Sequence, residues 1–522
     1  MKLLWLLCPA VLAAQCSTVP AVQGDGPRSP CVDRTVTLSG VVTAAFAGMQ
    51  GFFLQDPAGD GRAETSDGIF VFGVSTNLPL PSSLVRVTGR VIEFARAGYA
   101  GSVTEIDLRN GGSFEVIGSS PLPQAVILNP LSSEPAALEP FEGMLAAYPA
   151  SVAVSPSTRF GEYFAVRWDR LPATVRLFPW TRPDVVPLMI DQSGGAFRKE
   201  VQVFDLVPDL VGVLHFDFGS FRLEPVADYD VRDAGFRPTA ATAVSAGSPG
   251  QLLRVAFLNC QRVVWQLPAV ALERKLEKLA LAIRDHLRLP EIVAVAEVED
   301  QQLLEALGAR AGPYQAVLLK GCDFSNINVG VLYRQDRLRK LGEFQLQAEA
   351  PEFRNGACTL PDGRAFRQFL YDRPPLLVDF AWGEMLLTVI VNHWRSRIGG
   401  NEAERIASAE YLSSEIQRLG RENLIVLGDF NDTEDSPSLL ILSDRTGMAN
   451  LTWSVPEMNR YSFVFGGISQ VLDHIFVSPA LLGMVRWSGI AHFNADFPAS
   501  LADRGGTALR VSDHDAPYIV LQ

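Results

Sequence analysis

Short apolar runs of alternating pattern fill the N-terminal part of the chain, and helical stripes join them only in the second half. From about Arg34 to Ile117 the runs are "TVTLSGVVTAAF", "GFFLQD", "GIFVFG", "LVRVTGRVIEF" and "VTEIDL", separated by turn-rich "PAGDGRAETSDG" and "PLPSS". Period-two runs bounded by Gly, Pro and Asp predict strands, and five such strands with little helix predict a small barrel. From about Pro121 to Val231 the runs "LEPFEGMLAAYPASVAV", "FAVRW" and "VGVLHFDFGSFRLEPV" predict a second β-rich module of the same kind. "RPTAATAVSAGSPGQ" has no periodicity and reads as a linker.

From Leu252 onward the pattern becomes α/β. Strand-like "LLRVAFLN" leads to a stretch in which Leu272, Leu276, Leu279, Ile283 and Leu287 recur at helical spacing. "IVAVAEV" follows as a buried strand. Ile406, Ala409, Leu412, Ile416 and Leu419 mark a second helix that stops at Gly420, and "LIVLGDFND" is a further buried strand ending in polar groups. Strands with polar ends, separated by amphipathic helices, predict a layered sandwich with its chemistry gathered at one rim.

A chain of 522 residues suggests about three domains at roughly 150 residues each. The net charge of −13 repels polyanions, so binding a phosphodiester polymer would need local Lys/Arg and bound divalent cations. "MKLLWLLCPAVLAAQC" reads as a secretory signal, too short to span a bilayer. Cys16 resembles a bacterial lipoprotein site, but Gln15 stands where a small residue is expected, so release is preferred to anchoring. If Cys8 and Cys16 leave with the signal, Cys31, Cys260, Cys322 and Cys358 remain; Cys322 with Cys358 is the preferred pair, and free buried thiols are the alternative. Asp56, Asp60 and Asp67 are read as turn residues in preference to a cation site.

Carboxylates, amides and imidazoles recur at the strand ends: Asn259 in "FLNC", Glu297 in "AVAEVED", His393 in "VNHWRSR", Asp429 and Asn431 in "VLGDFND", Asp473 and His474 in "QVLDHIFVS", Asp513 and His514 in "RVSDHDAPYIVLQ". Oxygen-rich sets of this kind suit Mg²⁺, with Mn²⁺ or Ca²⁺ as alternatives, whereas zinc favours Cys and clustered His. A hard cation beside histidines suits phosphoryl chemistry.

On these ordered motifs the last 270 or so residues resemble the endonuclease/exonuclease/phosphatase superfamily, which includes pancreatic-type deoxyribonucleases and bacterial sphingomyelinases. The wording "YSFVFGG…LDHIFVSPALL" makes the whole chain similar to multidomain extracellular deoxyribonucleases of bacteria, in which "GFFLQDPAGDG…TSDGIFVF" belongs to an oligonucleotide/oligosaccharide-binding (OB)-type domain. The resemblance implies an α+β chain, with a four-layer α/β/β/α sandwich preceded by two OB-type barrels. The expected division is a signal at 1–22, barrels at 32–118 and 119–235, a linker at 236–250 and the catalytic domain at 251–522.

It further implies Glu297 as principal metal ligand with Asn259 and Asp513 near the same cation, and His514 as the base for the attacking water, oriented by Asp473. Asp429 would position the water, Asn431 hold a phosphate oxygen, and His393 stabilise the phosphate or protonate the leaving oxygen. Arg395 and Arg397 are candidate phosphate contacts, with ordinary surface arginines as the equal alternative. His474 is read as structural, and His215, His286 and His492 carry no motif support.

Two positions depart from the family. Ala296 stands where Gln is usual, and Asn328 where a carboxylate commonly faces the phosphate-binding histidine; the neutral amide predicts a lowered His393 pKa. The expected function is a secreted or periplasmic, metal-dependent nuclease acting on DNA or also RNA, monomeric and without membrane insertion. The alternatives are a sphingomyelinase-like lipid phosphodiesterase, disfavoured because no exposed aromatic hairpin is evident, and a catalytically silent nucleic-acid or glycan binder.

Overall fold

The computed structural model describes residues 16–129, 135–170, 176–180, 185–195, 197–242, 252–347, 352–354, 357–359 and 370–522. The chain is mixed α+β and divides into two compact units, Met1–Val175 with Thr181–Ala234, and Arg176–Trp180 with Gly235–Gln522.

In the first unit a short helix α1 (Val19–Gln23) precedes strands β1 (Thr35–Phe46), β2 (Gly51–Gln55), β3 (Gly68–Phe72), β4 (Ser83–Phe94), β5 (Val103–Asp107) and β6 (Ser113–Ser119). They pair in the order β1-β2-β3-β5-β4-β6, and β4 pairs again with β1, so five strands close into a barrel with β6 outside it. β6 was not legible in the pattern because nearly every residue of it is exposed. Strand β7 (Val126–Ile127), helix α2 (Pro135–Leu138) and strands β8 (Leu145–Ala153), β9 (Tyr163–Arg167), β10 (Leu188–Ile190), β11 (Leu206–Asp217) and β12 (Ser220–Pro225) follow. Their order is β11-β12-β10-β9-β8-β7, and a β11–β8 pairing closes a second five-stranded barrel. The barrels pack as one unit: the Leu145 amide donates to Gln55 Oε1 at 2.9 Å, and Arg96 forms a two-point ion pair with Asp217.

An export signal drawn to residue 22 does not fit this unit. Cys16 is bonded to Cys31, and Val19 and Val22 lie in the core of the first barrel, so the folded body includes Cys16 onward. The pairing left open for Cys31 is thereby assigned to Cys16. Cys322 is disulfide-bonded; the side chain of Cys358, its expected partner, lies outside the described residues, and Cys260 is a free buried thiol. Asp56 and Asp60 are turn residues, accepting the amides of Ala58 and Arg62.

The second unit holds strands β13 (Leu253–Val263), β14 (Ile292–Val298), β15 (Tyr314–Leu318), β16 (Asn328–Arg334), β17 (Arg339–Gln345), the hairpin β18 (Glu352–Arg354) and β19 (Ala357–Thr359), β20 (Leu376–Trp382), β21 (Met385–His393), β22 (Leu424–Asp429), β23 (Ala449–Asn450), the hairpin β24 (Phe463–Phe465) and β25 (Ile468–Gln470), β26 (Asp473–Val477), β27 (Val485–Ala491) and β28 (Ala516–Leu521). Its helices are α3 (Ala269–Leu281), α4 (Gln301–Ala311), α5 (Glu402–Leu419), α6 (Pro437–Thr446) and α7 (Pro479–Leu482). One six-stranded sheet runs β15-β16-β14-β13-β28-β27 and the other β17-β20-β21-β22-β26-β23.

Period two sorts each strand's residues between two apolar clusters. Val255, Phe257 and Ala294 of the first sheet meet Val389, Leu427 and Ile475 of the second. On their other faces, Leu258, Val293 and Val295 pack under Leu276, Leu279 and Ile283 of the α3 stretch and Leu304 and Leu307 of α4, while Ile390, Val426 and Phe476 pack under Leu412, Ile416 and Leu439 of α5 and α6. The helical stripe from Leu272 to Leu287 is thus the buried face it was expected to be. Gly420 ends α5 in the left-handed conformation at φ 58°, with its amide on the Ile416 carbonyl.

Residues 236–242 do not behave as a linker. The Thr239 amide donates to the His492 carbonyl and the Ala241 amide to the His286 carbonyl, both at 2.7 Å, and the Tyr518 hydroxyl receives the Thr242 amide. The rest of the expected linker, 243–250, lies outside the described residues. Among the described residues no helix is long and apolar enough to cross a membrane.

Candidate active site

The two sheets deliver polar groups to one place because each apolar row between them ends in one. Asn259 continues the row of Val255 and Phe257, His393 that of Val389 and Val391, Asp429 that of Ile425 and Leu427, and Asp473 that of Ile475 and Val477. In register, His393 lies beside Asp429 on the parallel strand β22, and Asp429 beside Asp473 on antiparallel β26. Gly428 permits this approach: at φ 152° its position has no room for a side chain, since a Cβ there would stand 2.1 Å from the Asn392 carbonyl oxygen. Glu297 arrives differently. It is the extra residue of a bulge between Ala296 and Val298, in the left-handed conformation at φ 65°, and bulges re-aim side chains at sheet ends. Such backbone costs roughly 1–3 kcal/mol and persists only where its surroundings impose it.

These residues touch. Asn259 Nδ2 donates to Asp429 Oδ2 at 3.0 Å and to Glu297 Oε1 at 3.3 Å. Asp473 Oδ2 accepts from His514 Nδ1 at 2.8 Å; a carboxylate only accepts, so Nδ1 carries the proton. His514 Nε2 then stands 3.9 Å from Asp429 Oδ2, and His393 Nε2 is 3.7 Å from that oxygen and 3.9 Å from Glu297 Oε1. The second oxygen of Asp473 and Nδ1 of His393 are buried and find no partner among the described residues. The Phe463 ring packs against the His514 imidazole, with centroids 4.9 Å apart.

The electrostatics separate the two histidines. Burial by itself would pull His514 down, but the carboxylates of Asp473 and Asp429 outweigh it and hold the imidazole well above its usual value. His393 is driven well below the usual value, by burial first and then by the Arg373 guanidinium and His514. Burial raises Asp429 to about 7, against the pull of His514. Glu297 is raised by burial and then by Asp513, so two acids converge here.

Not every expected residue joins the cluster. Asn328 is buried at the start of β16, but its Oδ1 accepts the Gly321 amide at 2.7 Å and its Nδ2 donates to the Glu299 carbonyl at 2.8 Å. Both ends serve backbone, so the expected role of Asn328 facing His393 is not borne by its contacts, and the lowering of His393 has other causes. Arg395 pairs with Asp372 at 2.9 Å and Arg397 with Gln470 at 3.0 Å. Asn431 sits at φ 51° and donates from Nδ2 to the Trp394 carbonyl. Asp513 is half-buried beside Ser512. Ala296 is buried between the sheets. His474 is structural as expected, held by the Asp432 carbonyl, Asn450 and Thr452.

Other supports escaped the sequence reading. Arg373 donates to the His393 and Trp394 carbonyls and pairs with Asp323 at 2.7 Å. On α3, Lys278 Nζ lies 2.9–3.0 Å from the carbonyls of Leu501, Arg504, Thr507 and Leu509, and Lys275 holds the Val511 carbonyl, so this helix grips the loop that delivers Asp513 and His514. The one available signal was lysine on the inward face of an apolar stripe. An exposed aromatic hairpin, not expected from the sequence, is also present: Phe465 at the end of β24 is 67 % exposed.

The donor set fits a hard divalent cation. Glu297, Asp513 and Asn259 Oδ1 are oxygen donors, and the Glu297 carboxyl is raised by burial and then by the like charge of Asp513, a repulsion that a cation would relieve. The atoms of Asp429, Asp473 and His514 also gather within 4.8 Å, but the Asp473–His514 hydrogen bond already occupies that trio, so the Glu297 side is the better holder.

Residues 255–493 match the Endonuclease/Exonuclease/phosphatase family. No curated protein is significantly similar to the chain. Among solved structures, the endonuclease/exonuclease/phosphatase of Bacteroides vulgatus is 19% identical, covering 52% of this chain and 98% of its own, with a TM-score of 0.39. D. rerio TDP2 humanized by 14 mutations is 16% identical over 52% of this chain and 99% of its own, with a TM-score of 0.38. The Bacteroides thetaiotaomicron mannosyl-6-phosphatase is 18% identical over 52% and 100%, with a TM-score of 0.37.

Proposed function

From the premise that residues 255–493 belong to the endonuclease/exonuclease/phosphatase family, we propose that this chain hydrolyses phosphodiester bonds of extracellular DNA through a histidine-activated water. The observation that carries the reading is the Asp473–His514 hydrogen bond of 2.8 Å, with Nε2 of His514 facing Asp429. Asp473 fixes the tautomer that exposes Nε2 as proton acceptor once the imidazole, which Asp473 and Asp429 hold above its usual pKa, has released its proton, and the same carboxylates stabilise the imidazolium that then forms. Asp429 orients the water from the other side. His393, neutral through burial, donates a hydrogen bond to a phosphoryl oxygen from Nε2. Glu297, Asn259 and Asp513 would hold Mg²⁺, which when bound neutralises charge developing on the phosphate.

The stacked sheets with helices on their outer faces support a four-layer catalytic sandwich, and the two closed five-stranded barrels support OB-type domains that bind single-stranded nucleic acid. The apolar N-terminal run and the disulfides at Cys16–Cys31 and Cys322 support an oxidising compartment. A cysteine in a disulfide has no thiol for a lipid, so release is favoured over anchoring through Cys16.

The exposed hairpin bearing Phe465, with Phe463 against His514, favours one second reading, a lipid phosphodiesterase that docks by this hairpin. Supercoiled plasmid and sphingomyelin vesicles, each with and without EDTA, separate the two. Nicking that requires Mg²⁺ or Mn²⁺ and disappears in His514→Ala is the expected result. Hydrolysed lipid with intact plasmid would transfer the mechanism to the second reading, and inactivity on both would overturn the assignment.

A further inference from the structure

Away from the catalytic unit, the second barrel buries a group of side chains that nothing above uses. Asp191 follows β10, His215 lies on β11 and Glu224 on β12. The hairpin register pairs Val213 with Glu224 and His215 with Arg222, which puts His215 and Glu224 on one face; β12 runs parallel to β10, with Leu223 beside Ile190, and so brings Asp191 alongside. One ligand atom from each of the three lies within 4.8 Å of the others.

The hydrogen-bond ledger of this group does not close. Asp191 Oδ1 accepts the Ser193 amide at 2.9 Å, Asp191 Oδ2 accepts Arg222 Nη1 at 2.7 Å, and Glu224 Oε1 accepts the Gly194 amide at 3.0 Å. Glu224 Oε2 and His215 Nε2 are buried with no partner among the described residues, on side chains 1% and 8% exposed. Buried polar atoms in native proteins almost always have partners, so two orphans converging in one cluster mark a place for a ligand. The Phe53 ring packs against it, its centroid 5.9 Å from that of His215.

We propose that Asp191, His215 and Glu224 form a divalent transition-metal site of the zinc class. One imidazole and two carboxylates make the mixed nitrogen and oxygen set that zinc accepts with three protein ligands, whereas Ca²⁺ requires six to eight oxygens. Arg222, opposite His215 in the register, pairs with Asp191 Oδ2, and Asp191 Oδ1, which accepts the Ser193 amide, keeps a lone pair for the metal. Bound there, the ion would tie the end of β10 to the β11–β12 hairpin.

The test uses the full chain, stripped with EDTA, loaded with zinc, desalted and measured by elemental analysis, in a Glu297→Gln background that disables the cation position proposed for catalysis. One retained equivalent is expected, falling to none in Glu297→Gln/His215→Gln, and cobalt in its place should give visible d–d absorption that the second substitution removes. If the Glu297→Gln chain retains no zinc, the proposal is overturned without further variants. An unchanged equivalent in a folded His215→Gln variant also overturns it, and Glu224→Gln serves the same purpose should His215→Gln fail to fold. None of these readouts depends on hydrolytic activity.

Discussion

Two buried clusters in this chain hold the same kinds of side chain, two carboxylates and an imidazole, and leave them in opposite states. In the second unit His514 bonds Asp473 and faces Asp429, and the imidazole is held well above its usual pKa. In the second barrel His215 makes no such bond, Arg222 occupies the nearby Asp191, and burial takes the imidazole down to about 4. Burial is comparable; the charges around the ring decide its state, since Asp473 and Asp429 outweigh burial at His514, whereas at His215 burial prevails and Arg222 opposes Asp191. A protonatable imidazole poised on a carboxylate does proton chemistry, whereas a neutral one beside an unpartnered carboxylate oxygen is suited to be a ligand.

The largest expected effect breaks the first cluster's distinguishing bond. Asp473→Asn preserves shape but allows the amide to donate to His514 Nδ1, favouring the tautomer that puts the proton on Nε2. The turnover on plasmid should fall by about 10² to 10⁴, the usual worth of general-base help, with the fold intact by circular dichroism. A folded variant within threefold of the native rate would show that the bond does not define the site.

Next in size is the buried chain of contacts behind His514. Arg176 forms a two-point pair with Asp496 and lies 3.7 Å over the Tyr461 ring; Tyr461 stacks on His492, and His492 bonds Asp515, the residue after His514. Removing one partner of a buried pair leaves an uncompensated charge and typically costs about 3–5 kcal/mol. Arg176→Met should lower unfolding free energy by that amount in denaturant titration, and Arg176→Met with Asp496→Asn should recover part of it. A loss under about 1 kcal/mol would show that the pair is not what secures this side of the site.

The sequence disclosed the candidate site far better than its supports, for a physical reason. Asn259, His393, Asp429 and Asp473 each end an apolar period-two row, so pattern and chemistry coincide in a short window. Glu297 kept its motif even though its bulge breaks the period. Arg176, Arg373 and Lys278 act over long sequence separations on carbonyls and carboxylates that no local pattern marks. Asn328 misled because residue type was legible while its two backbone partners were not. The barrels were legible as strands, but the Asp191, His215 and Glu224 grouping depends on register across β10, β11 and β12, which single-strand patterns do not carry.

Asn328 supplies a smaller test of the candidate site's boundary. Asn328→Asp removes the donor to the Glu299 carbonyl and should cost about 1–3 kcal/mol of stability, the price of an unsatisfied buried group. Because its contacts are backbone, the pH dependence of turnover per folded molecule should stay as in the native chain. An upward extension of the pH optimum would return Asn328 to the environment of His393.

The smallest effect tests the lesson of the comparison away from both clusters, at a carboxyl with burial and no strong partner. Glu105 on β5 is raised to about 8, by burial first and then by the charge of Asp107. Its folded value lies above the 4.5 of an ordinary glutamate, so between those values the folded state holds more protons than the unfolded one. Its contribution is therefore complete below pH 4.5 and is lost as pH rises toward 8. Glu105→Gln has nothing to ionise and should flatten that part of the slope, read as hydrogen-exchange protection of first-barrel peptides at pH 5, 6, 7 and 8 after correction for intrinsic exchange. Parallel slopes in the native and Gln chains would mean that Glu105 is charged when folded. Burial without a partner would then not suffice to set charge here, and the contrast between His514 and His215 would need a cause beyond the Asp473 bond.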